Sequence, residues 1–430
     1  MDVPITSDQW WKNAIFYCLD VETYCDSNGD GVGDLRGLIQ RLDHIDALGV
    51  TCIWLMPLMP SANRDDGYDV LDHYAVDPRL GSFGDLVDLL REARERGLRV
   101  IVDLVLNHTS DQHPWFQRSR SDPGSRERHY YVWKDEPQDW PDEVSFPGEE
   151  ESSWEYDHVA ELWYLHRFYR FQPDLDIGCP ELREEMRRIV GFWLELGASG
   201  FRLDALPYVL EAADGDPAKE AHGYLRHLRS FLSRRSAGAI FLGEVNLPPE
   251  EQRRFFGDED GDEAHLLTAF DQNNALFLAL ARDSAAPLAA ELRRLPTIPA
   301  GCQWATFVRN HDELSLTRIS AAERDEVLDR FAPEQRMRIY GRGLRRRLPS
   351  MLDGDEAWLR CVYSLLLALP GAPILYYGEE IGMAEDLDAP GRLTVRTPMQ
   401  WSGGENAGFR RRPRRSSSVP SSRGASAPGA

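Results

Sequence analysis

Short apolar runs alternate with amphipathic stretches along most of this 430-residue chain, and this alternation limits the folds open to it. The apolar runs, each a strand candidate, occupy residues 14–20, 51–57, 99–107, 200–205, 239–245, 266–271, 302–310 and 372–380. The helix candidates occupy residues 35–48, 83–96, 181–196, 221–235, 285–295 and 356–369. Strands that alternate with helices predict a parallel sheet. Eight such strands predict an α/β fold, the (β/α)8 TIM barrel, with its chemistry at the C-terminal strand ends.

One connection of this barrel is much longer than the others. Residues 108–179 are rich in aromatic residues and proline, and loops of that length without their own structure are rare in compact domains. We therefore expect a small domain, domain B, inserted after the third strand. Its tryptophans, which would form its core or stack on a ligand, are Trp115, Trp133, Trp140, Trp154 and Trp163. The barrel would then comprise residues 1–107 and 180–409.

The last segment, residues 410–430, is rich in Arg, Ser and Pro and has almost no large aliphatic residues. We expect it to be a disordered tail that buries no core.

Composition excludes several classes of partner. The net charge of −22 argues against binding to nucleic acid. No apolar run is long enough to span a bilayer, and the first residues have no basic and apolar signal region. The six cysteines are not closely paired in sequence, so we expect reduced thiols. Together these features predict a soluble, cytoplasmic protein.

Three of the predicted strands end in acidic residues. Arg202 and Asp204 share a face of their strand, and a guanidinium beside a carboxylate keeps that carboxylate ionised, as a nucleophile requires. Glu244 ends a second strand, where partial burial raises a carboxyl pKa toward that of a general acid. Asp312 follows a third and is a candidate ligand for sugar hydroxyls. Paired carboxyl groups about 5–5.5 Å apart define retaining glycosidases; the alternative is a set of ordinary helix caps.

Further candidates for substrate binding follow other strands. His108 ends the third strand and His311 precedes Asp312, and each is a candidate hydrogen-bond donor to a substrate hydroxyl. Tyr68, in the loop after the second strand, is a candidate platform for a sugar ring. Asp65 lies in the same loop, and Arg396 lies beyond the eighth strand. Because these two loops meet over one mouth of a closed barrel, we expect an Asp65–Arg396 ion pair that blocks one end of the cleft.

The loop after the first strand places oxygen donors at alternate positions, as an EF-hand loop does. The donors would be Asp26, Asn28, Asp30, the carbonyl of Val32 and Asp34. Gly37 stands where an EF-hand has its closing glutamate, so Asp34 would close the cage. Hard oxygen ligands favour Ca²⁺ or Mg²⁺, in a structural role. The alternative is a Gly/Asp-rich turn without a metal. We expect no organic cofactor.

Residues 103–108, 200–205, 307–312 and the strand ending at Glu244 resemble the four signature regions of the α-amylase superfamily, glycoside hydrolase family 13. The resemblance implies a (β/α)8 barrel with domain B after strand three. It implies Asp204 as nucleophile, Glu244 as acid/base and Asp312 as transition-state stabiliser. The residues that would line the subsite of the attacked sugar are Arg202, His108, His311 and Tyr68.

Within this superfamily the chain resembles the α-glucosidase-like branch. The metal loop is similar there, and Asp65 and Arg396 match the pair that grips the non-reducing-end glucose. Residues 107–116, 201–208, 309–314 and 396–401 resemble the trehalose synthases, which are maltose glucosyltransferase-isomerases. The family's final helix and all-β C-terminal domain have no counterpart after residue 409, so we expect that domain to be missing.

These features predict a retaining enzyme that interconverts maltose and trehalose, or acts on short α-glucosides, through a covalent glucosyl-enzyme. One alternative is a hydrolase of the α-glucosidase or α-amylase type. A second is a truncated barrel that binds sugar without catalysis. The partner would be a small α-glucoside, with no nucleic acid and no membrane; the sequence does not predict the oligomeric state.

Overall fold

Eight parallel strands close into a barrel in the computed structural model, which describes residues 9–137, 144–211 and 217–409. The barrel strands in chain order are β1 (Phe16–Leu19), β2 (Cys52–Leu55), β3 (Arg99–Leu104), β7 (Gly200–Leu203), β8 (Ile240–Gly243), β9 (Leu266–Thr268), β10 (Gln303–Phe307) and β14 (Ala372–Tyr376). Neighbouring strands pair in this order, and β14 pairs with β1 to close the ring. The predicted TIM barrel is confirmed.

The barrel strands are continuous apolar runs because both of their faces are covered. Every residue of β1, β2, β7 and β8 is buried. Parallel sheets between two layers require such runs, since neither face meets water. At the start of β7, Gly200 has φ 148°, and a Cβ there would lie 2.4 Å from the carbonyl oxygen of Ile240. Glycine therefore allows β7 and β8 to approach.

Helices cover the outside of the barrel and fill its longer connections. Their bounds are α1 (Val21–Tyr24), α2 (Leu35–Ile39), α3 (Leu42–Ala47), α4 (Phe83–Glu95), α5 (Pro114–Ser121), α6 (Pro180–Leu196), α7 (Leu206–Glu211), α8 (Pro217–Arg235), α9 (Pro249–Gln252), α10 (Phe270–Ala281), α11 (Ala286–Arg294), α12 (Ala321–Phe331), α13 (Leu348–Met351) and α14 (Glu356–Ala368). Short 3-10 helices span Trp10–Lys12, Arg126–Tyr130, Arg253–Phe256, Gln335–Met337, Glu379–Ile381, Gly391–Val395 and Glu405–Gly408. Local sequence sets several ends: Ser82 and Asp85 form a capping box at α4, and Gly197 ends α6 in a left-handed conformation.

Two small antiparallel sheets lie in the connections. The first contains β4 (Trp133–Lys134), β5 (Trp154–Asp157) and β6 (Leu162–Leu165), and all three fall between β3 and β7, where domain B is expected. The second contains β11 (Leu314–Ser315), β12 (Arg338–Ile339) and β13 (Gly343–Leu344), between β10 and β14. The domain boundaries themselves stay predictions. Trp140, the N-terminal residues 1–8 and the predicted tail 410–430 lie outside the described residues.

Some elements differ from their prediction. The stretch 35–48 forms two helices, α2 and α3, and the strand expected over 266–271 ends at Thr268 because α10 begins at Phe270. None of the helices over the described ranges is long and apolar enough to cross a membrane. All six cysteines have free thiols, as expected, and five of them are buried.

Candidate active site

The three acids that follow predicted strands come together at one edge of the barrel. Asp204 directly follows β7, Glu244 directly follows β8, and Asp312 lies in the loop after β10. This is the C-terminal edge, whose loops carry the functional side chains of TIM barrels. Asp204 is buried, whereas Glu244 and Asp312 are half-buried.

One buried arginine connects the first two acids. The side chain of Arg202 is only 1% exposed. Its Nη1 donates to Oδ1 of Asp103 at 2.9 Å and to Oδ1 of Asp204 at 2.5 Å, and its Nη2 donates to Oε2 of Glu244. The backbone N–H of Ala205 donates to the same Glu244 oxygen at 3.2 Å. The planar guanidinium group of Arg202 thus binds Asp204 through one terminal nitrogen and Glu244 through the other. This holds the two carboxyl groups close together.

Burial controls the ionisation of these two acids. It raises the pKa of Asp204 to about 6, although the positive charge of Arg202 opposes the rise. It raises the pKa of Glu244 to about 7, again against Arg202. Because the two acids are neighbours, the protonation of one affects the other, and the two pKa values describe the pair together. Between about pH 6 and 7 the favoured state has Asp204 ionised and Glu244 protonated. A nucleophile and a general acid need this combination.

A second network fixes the aromatic wall of the site. The hydroxyl of Tyr68 donates to Oδ2 of Asp103 at 2.9 Å, and Nε1 of Trp54 donates to the same oxygen at 3.2 Å. Nε2 of His311 lies 2.8 Å from the Tyr68 hydroxyl, and the two rings stack with an interplanar angle of 8°. Since the Tyr68 proton goes to Asp103, His311 is the donor in this contact. Burial lowers the pKa of His311 to about 3, so the imidazole is neutral.

Asp312 lies in a strongly positive environment. Nη1 of Arg392 donates to its Oδ1 at 2.6 Å, and Nη2 of Arg396 donates to the same oxygen at 2.8 Å. Burial alone would raise the pKa of Asp312, but the guanidinium groups of Arg392 and Arg396 hold it well below its usual range. Asp312 is therefore ionised in the pH range in which Asp204 and Glu244 titrate.

The prediction that Asp65 pairs with Arg396 is wrong, because Asp65 pairs with a different arginine. Oδ1 of Asp65 accepts from Nη2 of Arg392 at 2.7 Å, and Arg396 instead pairs with Asp66 at 3.1 Å. The 3-10 helix Gly391–Val395 separates the two arginines by about one turn, so both reach the mouth. Nε of Arg396 donates to the backbone oxygen of His311 at 2.8 Å, and this bond turns its guanidinium toward Asp66.

His108 is also at the site, but it has a different environment from His311. It is buried, its ring lies 5.1 Å from that of Phe168, and its Nε2 has no hydrogen-bond partner among the described residues. Burial lowers its pKa to about 3. A neutral imidazole with a free nitrogen is suited to donate to, or accept from, a substrate hydroxyl. The neighbouring Asn107 donates to Asp174 at 3.0 Å and so anchors the start of the inserted segment.

A comparison with known families accounts for this combination of barrel and acids. The family model described as "Alpha amylase, catalytic domain" matches residues 21–335 and 345–416. The chain belongs to the α-amylase family. The matched region contains all three strand-end acids, and the family assignment agrees with the retaining-glycosidase chemistry predicted from them.

Similar members of the α-amylase family include several trehalose synthases. A trehalose synthase/amylase of Mycolicibacterium smegmatis is 44% identical, over 94% of this chain and 69% of that protein. A trehalose synthase of Pimelobacter sp. is 40% identical, over 93% of this chain and 72% of that protein. Among solved structures, an α-glucosyl transfer enzyme superimposes with a TM-score of 0.73 at 30% identity, covering 94% of this chain and 78% of that one.

Several residues that contribute to this α-amylase family site were not predicted from the sequence to have a role in it. Arg392 is one, and Gln172, whose Nε2 donates to Oδ2 of Asp65 at 2.9 Å, is another. Asp103, which binds Arg202, is a third. A carboxylate inside the apolar run of β3 needs a charged or hydrogen-bonded partner, so Asp103 could have been recognised from that pattern. The positions of Arg392 and Gln172 carry no comparable signal.

The predicted metal loop is ordered by its own hydrogen bonds. Asp26 is buried and accepts from the N–H groups of Gly29 and Gly31. Asp34 accepts from Ser27 and caps α2 through the N–H of Gly37 at 2.7 Å, and its role as the closing ligand stays a prediction. Over the described ranges no three His, Cys, Asp or Glu side chains converge as a metal cluster. Asp26, Asn28 and Asp30 also accept hydrogen bonds within the loop, so these bonds do not set them apart from Asp34, and the metal site stays a prediction.

Proposed function

We propose that this α-amylase family member interconverts maltose and trehalose through a covalent glucosyl-enzyme. The observation that carries the proposal is the bridging of Asp204 and Glu244 by Arg202, with pKa values of about 6 and 7 for the two acids. Retaining glycosidases need a nucleophile and an acid about 5–5.5 Å apart. The named trehalose synthases at 40–44% identity support the choice of substrate.

In the first step, the ionised Asp204 attacks the anomeric carbon of the non-reducing glucose of maltose. The bond to the glycosidic oxygen breaks, and Glu244 gives its proton to that oxygen, so that free glucose leaves. The product is a glucosyl ester of Asp204. Asp312 stays ionised beside Arg392 and Arg396, and its negative charge would stabilise the oxocarbenium-like transition state.

In the second step, the released glucose turns within the closed site. The carboxylate of Glu244 takes the proton from its anomeric hydroxyl, and that oxygen attacks the anomeric carbon of the glucosyl group bound to Asp204. The ester bond to Asp204 breaks, trehalose forms, and both acids return to their starting states. If water attacks instead, the product is glucose. The outcome depends on how well the site excludes water.

The remaining predicted residues would hold the attacked glucose. Tyr68 would stack on its ring, and His108 would donate to one of its hydroxyls. The unprotonated Nδ1 of neutral His311 would accept from another hydroxyl. Asp65 would bind hydroxyls at the closed end, with Arg392 rather than Arg396 as its ion-pair partner. Arg202 would keep Asp204 ionised.

The test is incubation with maltose followed by chromatography of the products. Trehalose is expected, with glucose as a minor product; glucose alone would assign the chain to the α-glucosidase type. Asp204→Asn should abolish turnover and leave maltose binding measurable by calorimetry. A matched control is Asp157→Asn, which removes a buried aspartate paired with Arg120 at 2.7 Å in the inserted sheet. Full activity of Asp204→Asn would refute the mechanism.

We further propose that the loop over residues 26–34 binds Ca²⁺ or Mg²⁺, held by Asp26, Asn28, Asp30, the Val32 carbonyl and Asp34. The cation would brace the loop after β1 and take no part in the reaction. The cytoplasmic location stays a prediction from the sequence.

A further inference from the structure

Two distant parts of the chain meet above Arg392. Phe146 and Tyr169 come from the segment between β3 and β7, and Tyr340 comes from the turn between β12 and β13. The Phe146 ring lies 4.5 Å from that of Tyr169 and 4.9 Å from that of Tyr340. The hydroxyls of Tyr169 and Tyr340 lie 3.3 Å apart. We call these three side chains the aromatic bridge.

The aromatic bridge rests directly on the site. The guanidinium of Arg392 lies 5.0 Å from the Phe146 ring centre, within range of a cation–π contact. The same guanidinium donates to Asp65 and Asp312. A second contact between the same two parts of the chain lies beside the bridge, where Arg342 donates to the backbone oxygen of Ser145. The bridge therefore joins the inserted segment to the β11–β13 sheet, which begins at Leu314, just after Asp312.

Tyr340 adopts a backbone conformation that its side chain disfavours. Its φ is 54°, in the left-handed region, and Gly341 follows at 64°. Glycine, asparagine and aspartate are the usual residues at such positions, and a bulky residue there is a true outlier. Strain of this kind persists where the surrounding structure uses the side chain. Tyr340 is buried, and its ring packs against Phe146 in the aromatic bridge.

We propose that Tyr340 is a positioning residue that sets the ratio of glucosyl transfer to hydrolysis. Its hydroxyl holds the bridge closed while the glucosyl-enzyme exists, so that the released glucose is retained and water is excluded. This inference rests on the proposed function, since it concerns the fate of the same intermediate. Tyr340 touches neither reacting acid; it acts through Phe146 and Arg392.

The test compares Tyr340→Phe and Tyr169→Phe with the unchanged chain, all acting on maltose. Each variant keeps its ring and loses the hydroxyl contact. A neutral hydrogen bond changes an equilibrium by a factor of about 2 to 10. The ratio of glucose to trehalose should rise by about that factor, and the double variant should equal either single one. Tyr340→Gly, which suits the left-handed backbone, should raise the ratio further. The matched control is Tyr74→Phe, which removes a hydroxyl bond of 2.9 Å to Glu185 and should leave the ratio unchanged.

The possible results separate this inference from the proposed function. If the unchanged chain makes no trehalose, the proposed function fails. If it makes trehalose and Tyr340→Phe gives the same product ratio, the role of Tyr340 is refuted, whatever happens to the total rate or the melting temperature. A rise in the ratio for Tyr340→Phe and Tyr169→Phe, but not for Tyr74→Phe, supports it.

Discussion

Glu244→Gln tests the assignment of the acid through the pH dependence of the reaction. Activity on maltose requires Asp204 ionised and Glu244 protonated, so it should fall below about pH 6 and above about pH 7. Glutamine cannot donate a proton, and turnover of maltose should fall by about 10²–10⁴-fold. With α-glucosyl fluoride, whose leaving group needs no proton, fluoride release should persist in the first turnover, because Glu244 acts as the base only in the second step. Its acid limb should stay near pH 6, because Glu244 is already neutral there, and its alkaline limb should disappear.

The same substitution should stabilise the protein at alkaline pH. The folded-state pKa of Glu244, about 7, lies above its ordinary value of 4.5, so ionising this group opposes folding. The penalty is absent below about pH 4.5, grows as the pH rises and is complete above about pH 7. It amounts to on the order of 3 kcal/mol, or about 4 °C in melting temperature for a chain of this size. Glutamine removes it.

Two measurements check this reasoning. Between pH 5 and 9, first-turnover fluoride release by Glu244→Gln should show a single acid limb, and maltose turnover by the unchanged chain should show a bell. Calorimetric melting at pH 4.5 and pH 8 should show a gain for the variant only at pH 8. An alkaline limb that stays near pH 7 in the variant would mean that another group is the acid. Equal melting temperatures at pH 8 would mean that ionising Glu244 does not oppose folding.

Three further substitutions test other parts of the structure. Arg392→Ala removes the donor shared by Asp65 and Asp312 and should lower kcat/KM for maltose by about 10- to 100-fold; unchanged steady-state kinetics would contradict the ion pair described above. Excess Ca²⁺ should raise the melting temperature of the unchanged chain relative to EDTA. Asp30→Ala, at an exposed position, should abolish that rise, and the same rise in the variant and the unchanged chain would exclude the loop as the binding site. Gly200→Ala places a Cβ against the Ile240 carbonyl and should cost about 2–4 kcal/mol in urea unfolding, whereas a neutral effect would show that β7 and β8 can separate freely.

The barrel could be predicted because its strands are buried on both faces. Such strands are continuous apolar runs, and each of the eight predicted runs contains one observed barrel strand. Helix α10 was missed for a related reason. Every residue of this helix from Phe270 to Ala279 is buried except Asp271. The helix therefore has no exposed polar face, and its sequence lacks the periodic pattern that indicates an amphipathic helix. A short buried helix and a buried strand look alike in sequence.

The acids could be predicted, but their partners only in part. Arg202 and Asp204 are two residues apart, and the strand period alone puts them on one face. Asp65 and Arg392 are joined across most of the chain, and no local pattern distinguishes Arg392 from Arg396, four residues later. In the folded chain Arg396 binds the backbone oxygen of His311 and Asp66, and Arg392 binds Asp65. Such a choice depends on the assembled mouth of the barrel.

The closure of the barrel between β1 and β14 sets a condition on biosynthesis. Phe16 pairs with Ile374, about 360 positions later, so a ribosome adding about 5–20 residues per second needs roughly 20–70 s between the two. During that time the nascent half-ring has a bare edge at β1, and bare strand edges recruit other chains. The yield of folded enzyme in a cell therefore depends on how well chaperones shield that edge until translation reaches the last strand.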